Sequence, residues 1–154
     1  MADKSDFTDA EWKAVAEAPL LVTVTMFAAG QHGPISMIKE STASAKLLAA
    51  PGDRGSVSGL INLMAAESKT KEARHDADHH KGADLGAVIA SCLADLEPAA
   101  AALKAHLPAD EAQAVGGWLV DIADAVAGAS KGVSDGEKDT VAKIATIFGV
   151  AAPA

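Results

Sequence analysis

Residues 134–149 read SDGEKDTVAKIATIFG and carry the signals for both ends of one amphipathic helix. Ser134 and Glu137 form a capping box, in which a hydroxyl and a carboxylate satisfy free amides of the first turn. Gly149 follows the last core position and suits the left-handed cap that ends many helices. Apolar residues recur between these ends at the three- and four-residue spacing of a helix: Val141, Ile144, Ala145, Ile147 and Phe148. We therefore predict a helix that ends at Gly149.

The N-terminal part of the chain opens on a similar capping box, formed by Thr8 and Glu11. This box places the start of a long helix at Asp9, and apolar residues follow helical spacing from there to Gly30. Pro19 lies inside the segment and removes one backbone hydrogen-bond donor. We therefore expect either one bent helix or two short pieces here.

Turn residues divide the rest of the chain into further apolar segments with helical spacing. The predicted helices cover about residues 34–50, 56–68, 83–96, 99–107 and 108–126, and residues 69–81 either continue the helix before them or break it. The break after Leu96 is expected because Pro98 disfavours helical geometry at the residue before it. In the helix that follows Pro108, Gly116 and Gly117 allow a neighbouring helix to approach closely.

The fold class follows from this pattern. No segment alternates apolar and polar residues with the period that a half-buried strand requires. The sequence predicts an all-α, compact, single-domain bundle of about six to eight helices over residues 1–154, with flexible ends at 1–7 and 150–154. Residues 29–36 align weakly with 127–134, each closing one helix and opening the next. Two pseudo-symmetric helix-turn-helix units would explain this repeat, and so would the recurrence of Ala-Gly turns by chance.

Composition limits the classes of partner. The chain has 21 acidic and 13 basic residues and a formal net charge of -8, so its average field repels nucleic acid and anionic lipid. Cys92 is the only cysteine and lies in the apolar run 87–96, which predicts a buried thiol and suits a reducing cytoplasm. Residues 1–6 lack a signal-peptide pattern, and we count no run of the roughly 18 apolar residues that a bilayer requires. We expect a cytoplasmic protein that binds no nucleic acid and does not insert into membranes.

The turn before the last helix reads ASKGVSDGE over residues 129–137. Residues 122–150 thereby resemble the tellurite-resistance TerB-like family, in which a turn of the form Ala-Asp-Gly-x-Val-Ser-x-x-Glu joins an apolar helix to an amphipathic one. The resemblance implies an all-helical fold, a role in tellurite and stress responses, and divalent-metal binding by acidic residues at such turns. Ser130 and His32 stand where the family has its turn Asp, so the implied metal ligation carries over to Glu137 alone.

Residues 72–80 hold a concentrated set of side chains that ligate metals. On a helix, four of them share one face through spacings of three and four: Glu72, His75, Asp76 and His79. Two imidazoles four residues apart can chelate zinc, nickel or copper. Basic residues interleave with the acids, however, which is typical of a solvated face and is the simpler interpretation.

Other polar groups have a structural and a functional interpretation. Five acidic residues either meet near the last turn and attract a cation or lie at solvated helix ends: Asp121, Asp124, Asp135, Glu137 and Asp139. His32 and His106 are isolated along the sequence and fit a turn or a helix end better than a catalytic base. Trp12 and Trp118 either belong to the core or anchor an interface.

The sequence contains no phosphate-binding loop, dinucleotide fingerprint or His-Glu-x-x-His zinc motif. We therefore predict a non-enzymatic helical module of TerB-like fold that acts in a stress, tellurite or metal response through a protein partner, self-association or a divalent metal ion. The first alternative is a transition-metal-binding protein or metalloenzyme that uses His75 and His79. The second is a carrier for a small apolar ligand.

Overall fold

The computed structural model describes residues 3–30, 45–68, 84–129 and 135–153. Its α-helices are α1 (Asp9–Gly30), α2 (Ser58–Glu67), α3 (Leu85–His106), α4 (Ala109–Gly128) and α5 (Asp135–Phe148). Residues 45–49 are also helical, and 3-10 turns at Lys4–Asp6 and Gly55–Val57 precede α1 and α2. The described ranges contain no strand, which confirms the predicted all-α bundle of about six to eight helices.

Helix α1 begins where its capping box predicts. The Thr8 backbone amide donates to Glu11 at 2.9 Å, and the Glu11 amide donates to the Thr8 hydroxyl at 3.2 Å. Pro19 is buried within the helix, and α1 continues through it to Gly30. The alternative of two separate helical pieces is therefore wrong.

Helix α3 departs from the sequence prediction because it also runs through a proline without a break. We expected a helix ending near Leu96 and another beginning at Ala99. Pro98 has no amide to donate to the Ala94 carbonyl, and both residues lie on the exposed side of the helix. Leu96 and Ala99, which are fully buried, anchor the helix on both sides of the proline. Packing therefore outweighs a local propensity cost of about 3 kcal/mol.

Among the described helices, α1 and α3 form the most extensive pair, and α4 and α5 pack against them. The buried apolar residues of the described ranges belong to one core cluster. Trp12 and Trp118 lie in it, with 6% and 0% of their surfaces exposed, which decides for the core and against an exposed interface anchor. Neither indole N–H has a hydrogen-bond partner among the described residues, so both rings contribute mainly as apolar bodies.

Helix α5 packs closely on α4 at Gly116. A β-carbon built on Gly116 would lie 2.9 Å from Phe148 Cβ, whereas one on Gly117 meets nothing within 4 Å. The predicted close approach is therefore confirmed at Gly116 and wrong at Gly117. Helix α5 ends as predicted at Gly149, whose φ is +67°, and the Val150 amide donates to the Ala145 carbonyl at 3.0 Å.

Several predictions lie outside the described residues. They are the helix over 34–44, the behaviour of 69–83, and the two turns of the proposed repeat at 31–34 and 130–134. Whether the fold contains two pseudo-symmetric units therefore stays a prediction.

Two of the helices are long and apolar enough to cross a bilayer, judged by length and composition alone. They are Asp9–Gly30 and Gly86–His106, which differs from our expectation that no segment would meet that condition. Each of these helices contains an apolar stretch of 18 residues, of which 61% and 39%, respectively, is buried in the folded chain. Core helices of globular proteins meet the same condition of length and composition. The absence of membrane insertion stays a prediction.

Candidate functional site

Four of the predicted metal ligands, Glu72, His75, Asp76 and His79, lie outside the described residues. The fifth, Glu137, is in the first turn of α5 and is fully buried. Within the described ranges, no three His, Cys, Asp or Glu side chains form a group that could hold a metal ion. Metal ligation by these residues stays a prediction.

The five acidic residues near the last turn do not come together as a cation site, and that alternative is wrong. Asp121 accepts a 2.7 Å hydrogen bond from the Arg54 guanidinium, which ties the loop before α2 to α4. Asp139 pairs with Lys143 at 3.0 Å along α5. The acids at these two positions therefore act as helix-surface ion-pair partners.

His106 ends α3 and contacts the start of α1, which confirms its predicted helix-end position. Its Nε2 lies 3.0 Å from Glu11 Oε2, across a sequence separation of 95 residues. Hydrogen bonding from the Thr8 backbone amide, and then from the Thr8 hydroxyl and His106, lowers the pKa of Glu11. The Phe7 ring contacts the His106 imidazole edge-on, with 5.3 Å between the ring centroids. Phe7 is only 8% exposed, although the sequence analysis places it in a flexible end. These contacts join two helix ends, which is a structural role.

Cys92 is fully buried in α3, as the sequence predicts. Burial raises the pKa of its thiol, and the Thr25 hydroxyl on α1 partly opposes that rise. A buried thiol with a raised pKa is a poor nucleophile because it stays protonated near neutral pH. Cys92 is therefore a core residue.

Helix α3 also presents an exposed face of small residues. We call it the alanine face, and it consists of Ala87, Ala90, Ala94, Pro98, Ala101 and Ala105, all exposed. These positions recur at three- and four-residue spacing and so form one stripe along the helix. The opposite side is buried and includes Cys92, Leu96, Ala99 and Leu103. Helix α3 is thus packed on one side and open on the other.

A groove of about 400 Å³ adjoins the alanine face, between α3 and α5. We call it the α3–α5 groove, and its lining is Leu93, Glu97, Asp139, Ala142, Lys143, Thr146 and Ile147. Leu93, Ala142 and Ile147 are half-buried and supply an apolar surface that water still reaches. The groove and the alanine face together form the candidate binding surface.

Sequence reasoning missed this surface, although a signal was present. Larger apolar residues in 88–103 recur on one side of the helix, while alanines recur at three- and four-residue spacing along another side. We interpreted the segment as two helices divided at Pro98, and that division hid the continuous stripe.

Comparison of the chain with models of protein families, with curated proteins and with solved structures finds no match. The resemblance of residues 122–150 to the TerB-like family therefore rests on the residues themselves.

Proposed function

We propose that this chain is a non-enzymatic helical module that binds a protein partner through the alanine face and the α3–α5 groove. The observation that carries the proposal is the exposure of α3. This helix is apolar enough to cross a bilayer, yet only 39% of its 18-residue apolar stretch is buried in the fold. Contiguous apolar surface left open to water is typical of sites that another molecule covers.

The shape of the surface favours a helical partner. Alanine side chains end at the β-carbon, so a second helix can lie close to α3 along the whole stripe. The half-buried side chains of Leu93 and Ile147 then offer apolar contact at one edge. Helices that dock in grooves use apolar residues at the same three- and four-residue spacing.

The resemblance to the TerB-like family supports the same class of protein. We therefore also propose that the module acts in the cytoplasm in a stress or tellurite response. Two further clefts on the described surface give little support to the alternative function, a carrier for a small apolar ligand. The cleft beside Leu63 and the cleft beside Lys104 are both open to solvent and have charged side chains in their lining.

Site-specific photo-cross-linking tests the binding surface. A benzophenone amino acid replaces Ala94 on the alanine face and, as the control, Asp124, which is exposed on α4. Irradiation of expressing cells is followed by identification of adducts by mass spectrometry. We expect one reproducible adduct, with another protein or a second copy, at Ala94 and none at Asp124. No adduct at Ala94, or the same adducts at both positions, refutes the proposed surface.

Metal binding is the second candidate, and the spacing of Glu72, His75, Asp76 and His79 favours it. Elemental analysis of untagged protein purified without chelator tests this candidate. Near-stoichiometric metal that is lost in a His75→Ala, His79→Ala variant and kept in a His106→Ala control supports it. Protein free of metal rejects it. A Glu137→Gln variant tests separately the ligand that the family resemblance implies.

A further inference from the structure

We infer that the partner segment at the α3–α5 groove is an amphipathic helix with basic residues along one edge of its apolar face. This inference rests on the proposed function, because it names the chemistry of the partner that the module binds. It depends on the apolar lining of the groove, the charges at its rim and the net charge of the chain.

The groove provides apolar contact beside an open helix face. Leu93 on α3 and Ile147 on α5 pack against the core and remain partly exposed, and Ala142 on α5 is half-buried. Apolar side chains of a partner would remove this surface from water, which contributes roughly 25 cal/mol for each Å² buried. The apolar stripe of an amphipathic helix fits this surface because the groove runs beside the alanine face.

The charged residues at the rim of the groove determine which charge the partner helix should carry beside its apolar face. Glu97 is exposed between the alanine face and the groove, and Asp139 is paired with Lys143 on the α5 side. The groove lining thus carries two carboxylates and one ammonium, a net charge of -1. A Lys or Arg on the partner opposite Glu97 would complement this charge.

Net charge favours this occupant over a second copy of the chain. Two copies would each bring a formal charge of -8, and their mutual repulsion opposes association. A basic helix is attracted to the same field, which raises the rate of encounter.

Two synthetic helical peptides test the charge of the partner. Each has about 18 residues, or five turns, with Leu at the apolar positions and either Lys or Glu at all others. Binding to the full chain is measured by fluorescence anisotropy at about 0.15 M salt, where general electrostatic attraction is screened beyond about 8 Å. We expect the Lys peptide to bind and the Glu peptide not to bind. Equal binding of both peptides, or no binding of the Lys peptide, overturns the inference.

Matched variants separate the groove from the overall charge. Glu97→Lys and Asp124→Lys change the net charge equally, but only Glu97 lines the groove. We expect Glu97→Gln to weaken binding of the Lys peptide about two- to fivefold, as for loss of an exposed ion pair. Glu97→Lys should weaken it further, and Asp124→Lys should have little effect. Equal weakening by the two Lys variants overturns the inference.

The variant Ile147→Asp tests the apolar contact. It should weaken binding of the Lys peptide about tenfold or more. Far-UV circular dichroism shows whether this variant folds, and the surface variants at Glu97 test the inference regardless of that result. If an adduct forms at Ala94 but the peptide test fails, the proposed function stands and only the inferred basic, amphipathic character of the partner is refuted. Absence of the adduct removes the proposed surface itself.

Discussion

Replacing Gly116 by alanine adds one methyl group where α4 and α5 approach closely. The new β-carbon would lie 2.9 Å from Phe148 Cβ, 3.2 Å from Val150 Cγ1 and 3.4 Å from the Phe148 carbonyl oxygen. Phe148 Cβ is attached directly to the backbone of α5, so relief of the overlap requires a shift of the helix. Overpacking of this kind costs about 1–3 kcal/mol.

The same substitution improves helix propensity, and the two effects must be compared. Alanine is favoured over glycine inside a helix by about 1 kcal/mol. The expected net result for Gly116→Ala is a loss of about 0–2 kcal/mol. Gly117→Ala is the matched control because its β-carbon meets nothing within 4 Å, and it should gain about 1 kcal/mol. The two variants should therefore differ by about 1–3 kcal/mol.

Urea unfolding followed by far-UV circular dichroism measures this difference. The m-values of both variants should equal that of the original chain, because the surface exposed on unfolding is unchanged. At about 2–4 °C for each kcal/mol in a chain near this size, the midpoints of thermal unfolding should differ by about 2–12 °C. If Gly116→Ala is as stable as Gly117→Ala, the close contact between α4 and α5 is not as we describe it.

Two other substitutions and one labelling experiment test particular parts of the fold. Pro98→Ala should stabilise the chain by about 1–3 kcal/mol in urea unfolding, because α3 regains a backbone hydrogen bond and the ring is exposed; loss of stability would mean that the proline supports the helix. Glu11→Gln should lower the urea midpoint at about pH 7, and its difference from the original chain should be smaller at about pH 3. The pKa of Glu11 is lowered in the folded state, so its contribution is present above the ordinary value of 4.5 and is lost as the pH falls through the folded value; an equal difference at both pH values would contradict this account. Cys92 should react with a thiol reagent at about pH 8 only after unfolding in urea, and fast labelling of the native chain would show that the thiol is accessible.

Local signals in the sequence predicted most helix ends correctly. The capping box at Thr8 and the glycine at position 149 need only neighbouring residues to act, so their geometry can be predicted from a short stretch of chain. The core positions of α4 and α5 follow from helical spacing in the same way. The single cysteine was also interpreted correctly, since Cys92 is buried.

Contacts between distant segments decided the features that the sequence left open or that we predicted wrongly. Pro98 stays inside α3 because buried residues on both sides of it pack into the core, and that packing has no signal in the local sequence. Glu11 and His106 meet because α1 and α3 lie side by side, and Gly116 differs from Gly117 because only one of them faces α5. The exposure of the proposed binding surface is also decided by contacts between distant segments. An alanine stripe is exposed or buried according to which helices cover it, so α3 became a candidate site only when the positions of its neighbours were known.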